Sequence, residues 1–441
     1  MLPGAVMQQG EVGSIMSISV TFNSAHRIPL ASEFFMARRP VVDRQQSLAA
    51  HELLFCNFFG TAAPIPAPEE QPASASVLSD VYEHGLTRVI GDLTGILYID
   101  TDALMSDIFQ FLPPQNVVLE IATLRNPPPQ VIARLTELGA AGFRFALVVN
   151  DDDEYVHKLL PMVESVRIDI TGRSAADLGR LCAAFKAQQK RLLAERVETI
   201  EQFRMCLDLG FDLFQGYYFL NPEILEGRKI SPSHQAITEL MSLIASEADN
   251  ADIEHSIKSH VSLGLNLLRL VNTPAISAHR IDSLRQALMV LGRDQLQRWL
   301  QVMLYAEPGV HGRSVLPLMA QATTRGRLIE LLAQKLRPGN RSFADTGFTV
   351  GIMSLMDTLF SMPLEEILKQ IPVVEEVGDA LLRRQGYFGK LLSLAEHTEW
   401  KTKNDAQLMQ ATRELNLSYN DLYMVQLAAF EWSDHVTRCM H

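Results

Sequence analysis

Acidic residues recur at the ends of short apolar runs through the first half of this chain. Glu52 lies in Ala50-His51-Glu52-Leu53-Leu54-Phe55, just after an extended segment from Phe34 to Asp43. Gly95 to Ile99 runs into Asp100, Val117 to Leu119 into Glu120, Val166 to Ile168 into Asp169, and Leu192 to Ala194 into Glu195. Carboxylates gathered in one place can exchange protons or hold hard cations. A single acid in an apolar run says little, so the question is which elements bring several together.

The apolar runs alternate with helical patterns at 130–138, 174–188 and 199–209, and a last run reaches Phe219. That alternation predicts βαβ units and a parallel sheet buried on both faces. In a closed barrel the C-terminal strand tips converge on one mouth, where active sites form. Residues 61–79, rich in Pro and Ala, are expected to form a loop, and residues 1–30 a flexible leader with no secretory signal pattern. The barrel region of roughly 190 residues is short against the usual ~250. One or two helices are expected to be missing between Phe59 and Gly95, leaving one side uncovered or open to a partner.

The character changes at residues 222–232. From Ser231 to His435 the spacing is helical throughout: Leu284, Ala287, Leu288 and Leu291 share a face, and Gly347 to Phe360 is nearly all apolar and predicts one core helix. Two domains follow, at 31–225 and 230–441.

The chain carries 39 Lys and Arg against 51 Asp and Glu, a formal charge of −12, which disfavours binding to a nucleic-acid polymer. Its 4 cysteines contain no C-x-x-C pair and suit a reduced, cytoplasmic setting in which thiols act as small buried hydrophobes. No apolar run is long enough to span a membrane. The histidines show no metal-ligand spacing, and Asp151-Asp152-Asp153-Glu154 is best read as a solvated loop.

Several segments, in order, resemble the EAL domains, bacterial phosphodiesterases that linearise cyclic di-GMP on a (β/α)8-type barrel. Ala37-Arg38-Arg39-Pro40-Val41-Val42-Asp43 is similar to the family's A-R-Q-P-I-V-D, and His51-Glu52-Leu53-Leu54 stands at E-A-L. Glu120-Ile121-Ala122-Thr123 stands at E-x-T-E, Val166-Arg167-Ile168-Asp169 at I-K-I-D, and Ala194-Glu195-Arg196-Val197-Glu198-Thr199 at A-E-G-V-E-T. Gly210 to Phe219 is similar to the closing Q-G segment. The second half resembles the HDOD domains, helical relatives of the HD phosphohydrolases without their metal dyad. The carriers are Leu268 to Pro274, Ile281 to Gly292, Gly351 to Asp357 and Gly386 to Gly389.

The resemblance implies a site for two divalent cations, Mg or Mn, held by oxygen ligands. Glu52, Glu120, Glu195 and Gln215 match the family's residues. Asp100 stands at its Asn, and Arg167 at its Lys. Val148-Val149 replaces its Asp-Asp pair, and valine has no lone pair to bridge cations. Cys56 replaces the Arg that grips phosphate, and Met356 stands where HD enzymes carry His. The metal-site positions are therefore expected to be vestigial, held by neighbours such as Arg167, with at most one weak Mg or Mn.

The expected fold is α/β plus all-α: a degenerate, shortened EAL barrel followed by an HDOD domain. The expected function is a non-catalytic signalling scaffold that acts on protein partners, with a homo-oligomer left open. The rival is a sensor that binds cyclic di-GMP or another nucleotide without cleaving it, and the third reading is a residual phosphodiesterase.

Overall fold

The computed structural model describes residues 34–57, 86–110, 112–122, 127–151, 154–220, 231–272, 281, 283–306, 316–371, 373–399 and 405–439. The expected leader at 1–30 and the loop at 61–79 lie outside these residues.

Eight strands close a barrel in chain order. They are β1 (Phe34–Asp43), β2 (Leu48–Asn57), β3 (Thr94–Ile99), β4 (Val117–Ala122), β5 (Arg144–Val149), β6 (Ser165–Asp169), β7 (Arg191–Glu195) and β8 (Leu213–Gln215). β1 runs antiparallel to both β2 and β8, and the remaining neighbours are parallel. The stretch from Leu48, expected as a strand or a helix start, is a strand because Arg38 to Val41 pairs with it residue by residue as a hairpin, with a shift of register before Val42.

Strand alternation sorts the side chains. Val41, Ala50, Ile96, Val118, Ala146, Leu193 and Leu213 form an apolar floor inside the barrel. The intervening residues, such as Phe145, Leu147 and Val149 of β5, point outward into the layer beneath the helices. Local caps set where those helices start. Thr199 and Gln202 form a reciprocal capping box at helix Ile200–Asp208, and Ser174 caps Ala175–Ala187. Gly216 permits the tight closure beyond β8: a Cβ there would stand 2.0 Å from the carbonyl oxygen of Val197, which accepts from the amide of Tyr218 at 3.1 Å.

The second half is helical from Pro232 to Cys439, with no strand among its described residues. The apolar stretch at 347–360 is two helices rather than one, Arg341–Met353 and Met356–Phe360, broken at Ser354 and Leu355. Helices 316–336 and 341–353 touch backbone to backbone, because a Cβ on Gly351 would lie 2.6 Å from Cα of Gly326.

The side of the barrel expected to be open is covered by this chain itself. Helix Tyr419–Cys439 packs on β1 and on the short helix Leu86–Ile90, and its Tyr423 and Leu427 join the barrel's outer apolar layer. In return Ala37, Leu54 and Leu220 enter the core of the helical half. Arg38 crosses the junction. It donates to both carboxylate oxygens of Asp434 at 2.9 and 2.8 Å and to the carbonyl of Val89 at 2.8 Å, and its guanidinium lies 4.1 Å over the Phe430 ring. Arg88 with Glu431 and Arg438 with Asp92 add outer ion pairs. Tyr217 Oη donates to the carbonyl of Glu399 at 2.5 Å, and Thr358 Oγ1 to that of Leu220 at 3.1 Å.

Two predictions follow from this packing. Asp434→Ala leaves the Arg38 guanidinium buried without its carboxylate and is expected to cost about 3 kcal/mol, read as a lower urea midpoint. Cys182 and Cys206 lie under the barrel helices, where burial pushes their thiols up to about 11 and about 12. Both are expected to stay unlabelled by a thiol reagent at pH 8 until urea unfolds the chain, as peptide mass spectrometry would show.

Candidate functional site in the barrel lumen

Two residues beyond the apolar floor, alternation brings a second ring of side chains into the lumen. These are Arg39 of β1, Glu52 of β2, Tyr98 of β3, Glu120 of β4, Val148 of β5, Arg167 of β6, Glu195 of β7 and Gln215 of β8. Six polar members of this ring (Arg39, Glu52, Glu120, Arg167, Glu195 and Gln215) are buried.

Arg167 is the hub. Its Nη1 lies 2.5 Å from Glu52 Oε1 and 2.5 Å from Glu120 Oε2, and its Nε lies 2.9 Å from Glu195 Oε2. The guanidinium is 2% exposed and so are the carboxylates it meets, to within a few percent. Glu52 is shared with a second cation, Arg39, whose Nε stands 2.9 Å from Oε2. At the upper rim Arg196 approaches Glu195 at 3.6 Å and Asp169 at 3.3 Å, and its amide donates to Gln215 Oε1 at 3.2 Å.

A planar fork with five donors suits this geometry, since one guanidinium can reach three carboxylates on three strands. Taking each ion out of water costs several kcal/mol, and only complete pairing offsets that. The lumen can therefore hold these glutamates without a metal ion, provided Arg167 is present.

The other candidate residues lie elsewhere. The Asp100 carboxylate caps helix Thr101–Leu104, accepting from the amide of Ala103 at 2.6 Å. Of the valine pair only Val148 faces the lumen, while Val149 is fully buried in the outer layer. Of the two valines standing at the family's Asp-Asp pair, the strand pleat thus turns only one toward Glu52. Met356 is fully buried at the start of its helix, in the other half of the chain. Asp357 Oδ1 accepts from the amide of Thr358 at 2.7 Å. The side chain of Cys56 and all of Thr123 lie outside the described residues.

Sequence reasoning passed over Arg39 and Tyr98 as lumen residues. Arg39 pairs directly with Glu52 across the β1–β2 ladder, a register that the alternation of β1 against β2 contains. Among the described residues no group of three or more His, Cys, Asp or Glu is arranged to hold a metal ion. The donor set does not fit a pair of divalent cations, because a guanidinium already sits at hydrogen-bond distance from all three glutamates and Val148 brings no lone pair.

The HDOD domain model matches residues 230–368. The second half of the chain contains an HDOD domain, which follows the eight-stranded barrel. A curated relative, the cyclic di-GMP phosphodiesterase CdgJ of Vibrio cholerae, is 28% identical over 92% of this chain and 93% of its own. The uncharacterised protein YuxH of Bacillus subtilis is 26% identical over 90% of this chain and 97% of its own. Both matches thus run across the barrel and the helical half of this chain. An EAL domain protein from Listeria monocytogenes covers 43% of this chain and 87% of its own at 17% identity, with a TM-score of 0.35. The EAL domain of Mycobacterium smegmatis DcpA covers 42% and 90% at 20% identity, with a TM-score of 0.34.

Arg167→Ala is expected to cost about 3–5 kcal/mol, since it leaves three carboxylates facing one another in the lumen, whereas Arg167→Lys should lose less by keeping the charge. Urea titration of the two variants checks both the size and the order.

Proposed function

We propose that this chain is a non-catalytic signalling protein of the cyclic-di-GMP type, working in the cytoplasm through protein partners, with the domains divided at 31–225 and 230–441. The observation that carries the reading is the Arg167 hub. Metal-assisted hydrolysis of a phosphodiester needs cations that stabilise the attacking and leaving oxygens. In this lumen the glutamates that resemble the metal ligands spend their charge on an arginine, and the aspartate pair is absent. An arginine cannot shed its proton or exchange for an ion from solution, so it is a permanent occupant.

The covering of β1 by helix 419–439 ties the two halves of the chain together. The HDOD half is packed onto the barrel through apolar and charged contacts, so an event on one half can be felt by the other. No helix among the described residues is long and apolar enough to cross a membrane.

A second reading carries over the activity for which CdgJ is named and makes this chain a cyclic di-GMP phosphodiesterase, or a sensor that binds the dinucleotide without cleaving it. Purified chain is expected to release no linear dinucleotide from cyclic di-GMP with Mg2+ or Mn2+. Hydrolysis that disappears in Glu52→Ala would overturn the proposal. Titration calorimetry with cyclic di-GMP separates the scaffold from the sensor, since saturable micromolar heat belongs only to the sensor.

The hub makes a sharper prediction about metal. Mn2+ at millimolar concentration is expected to leave the melting temperature of the native chain unchanged and to raise that of Arg167→Ser, where a cation can enter the vacated place. Thermal denaturation with and without Mn2+ gives the answer directly.

A further inference from the structure

The junction of the two halves holds a cleft that the lumen does not use. From the barrel it is lined by Arg38, Pro40 and His51, and from the helices chiefly by Arg325, Gln426 and Phe430. Its water-accessible interior is small, about 30 Å3, and it opens to solvent at its mouth. His51 alternates with Glu52 along β2, so it leaves the barrel on the outer side and meets the helical half.

Two polar side chains in this cleft lack partners. His51 is 2% exposed, and neither of its ring nitrogens has a hydrogen bond. Gln426, on helix 419–439, is 3% exposed, and its Oε1 is likewise unmatched. Such groups are rare in folded proteins and ask for an explanation. Burial, reinforced by the charge of Arg38, holds the His51 ring in its neutral form. A neutral imidazole offers one donor and one acceptor, and the amide oxygen accepts.

The charged groups around them are already satisfied by one another. Arg38 is bound to Asp434 and the Val89 carbonyl. Arg325 donates to both oxygens of Glu399 at 2.6 Å and to Ser354 Oγ at 2.6 Å, with Glu396 at 3.9 Å. The unmet demand in the cleft is therefore for neutral hydrogen-bonding groups, not for charge. The Arg38 guanidinium stacked on Phe430, together with Pro40 and Pro317, gives the cleft flat walls.

We propose that this cleft binds a small, neutral, planar molecule with neighbouring hydrogen-bond donors and acceptors, of the amide or nucleobase class. The proposal is independent of the lumen reading and holds whether or not the barrel has catalytic activity. Its ligand bridges the barrel, through His51, and the HDOD half, through Gln426, so binding favours the docked arrangement of the two. Sites between domains are a common place for such ligands.

The test uses the full chain with uracil, cytosine and nicotinamide as probes, by titration calorimetry, in the native protein and in His51→Phe and Gln426→Leu. Saturable binding of at least one probe is expected, about tenfold weaker in each variant. A barrel-side and a helix-side substitution thus weaken the same probe. The His51 ring-proton NMR signals of the native chain should move with occupancy, which keeps the test decisive should a variant fold poorly. No saturable binding of any probe would mean that the cleft holds only water. Binding that leaves the His51 signals in place, or that both variants retain in full, would put the site elsewhere. Either result overturns the proposal.

Discussion

A buried arginine held by three glutamates is the constraint on which the rest of this barrel depends. Closing eight strands around a lumen that carries Glu52, Glu120 and Glu195 forces three carboxylates out of water within reach of one another. Something cationic must enter with them. In this chain it is Arg167, anchored by its own strand and held between β2, β4 and β7. The choice of an arginine over a lysine or a metal ion is chemically consequential. A guanidinium neither leaves nor ionises water, but its fork satisfies several acceptors on different strands at once. The same residue that neutralises the lumen carries the proposal that the lumen is non-catalytic.

The second organising contact is the return of the last helix onto the first strand. The outer face of β1 and β2 carries apolar residues such as Ala37 and Leu54, which need a cover. Helix 419–439 supplies it, from nearly 400 residues further along the chain. Arg38 fixes the placement by combining a two-point ion pair, a carbonyl acceptor and a ring stack in one side chain. The two cores consequently share residues across the junction, and the cleft containing His51 and Gln426 is a product of that docking and of neither half alone.

Much of this was legible in the residues. The alternation of apolar runs with helical patterns announced the barrel, and the loss of that alternation after residue 222 announced the helical half. Among the acids of the apolar runs, Glu52, Glu120 and Glu195 belong to the lumen, and Arg167 could be named as their neighbour because it stands at the family's Lys. Other features were not legible. Nothing local distinguishes Val148 from Val149 until the pleat assigns one to the lumen and the other to the outer layer. Asp100 reads as another acid at a strand end, and only the helix that starts after it turns its carboxylate into a cap. Gly347 to Phe360 has no Pro or Gly at its break, so the interruption at Ser354 comes from packing rather than composition.

The sequence by itself determined the strand and helix periods, the order of the signature segments and the kinds of charge available to the lumen, because these follow from residue type and spacing along the chain. Only the tertiary structure decided that one guanidinium reaches three glutamates, that Arg39 shares Glu52, and that the exposed flank of the barrel is closed by its own C-terminal helix. Those facts depend on distances between residues up to 396 apart in the chain, which no local pattern encodes.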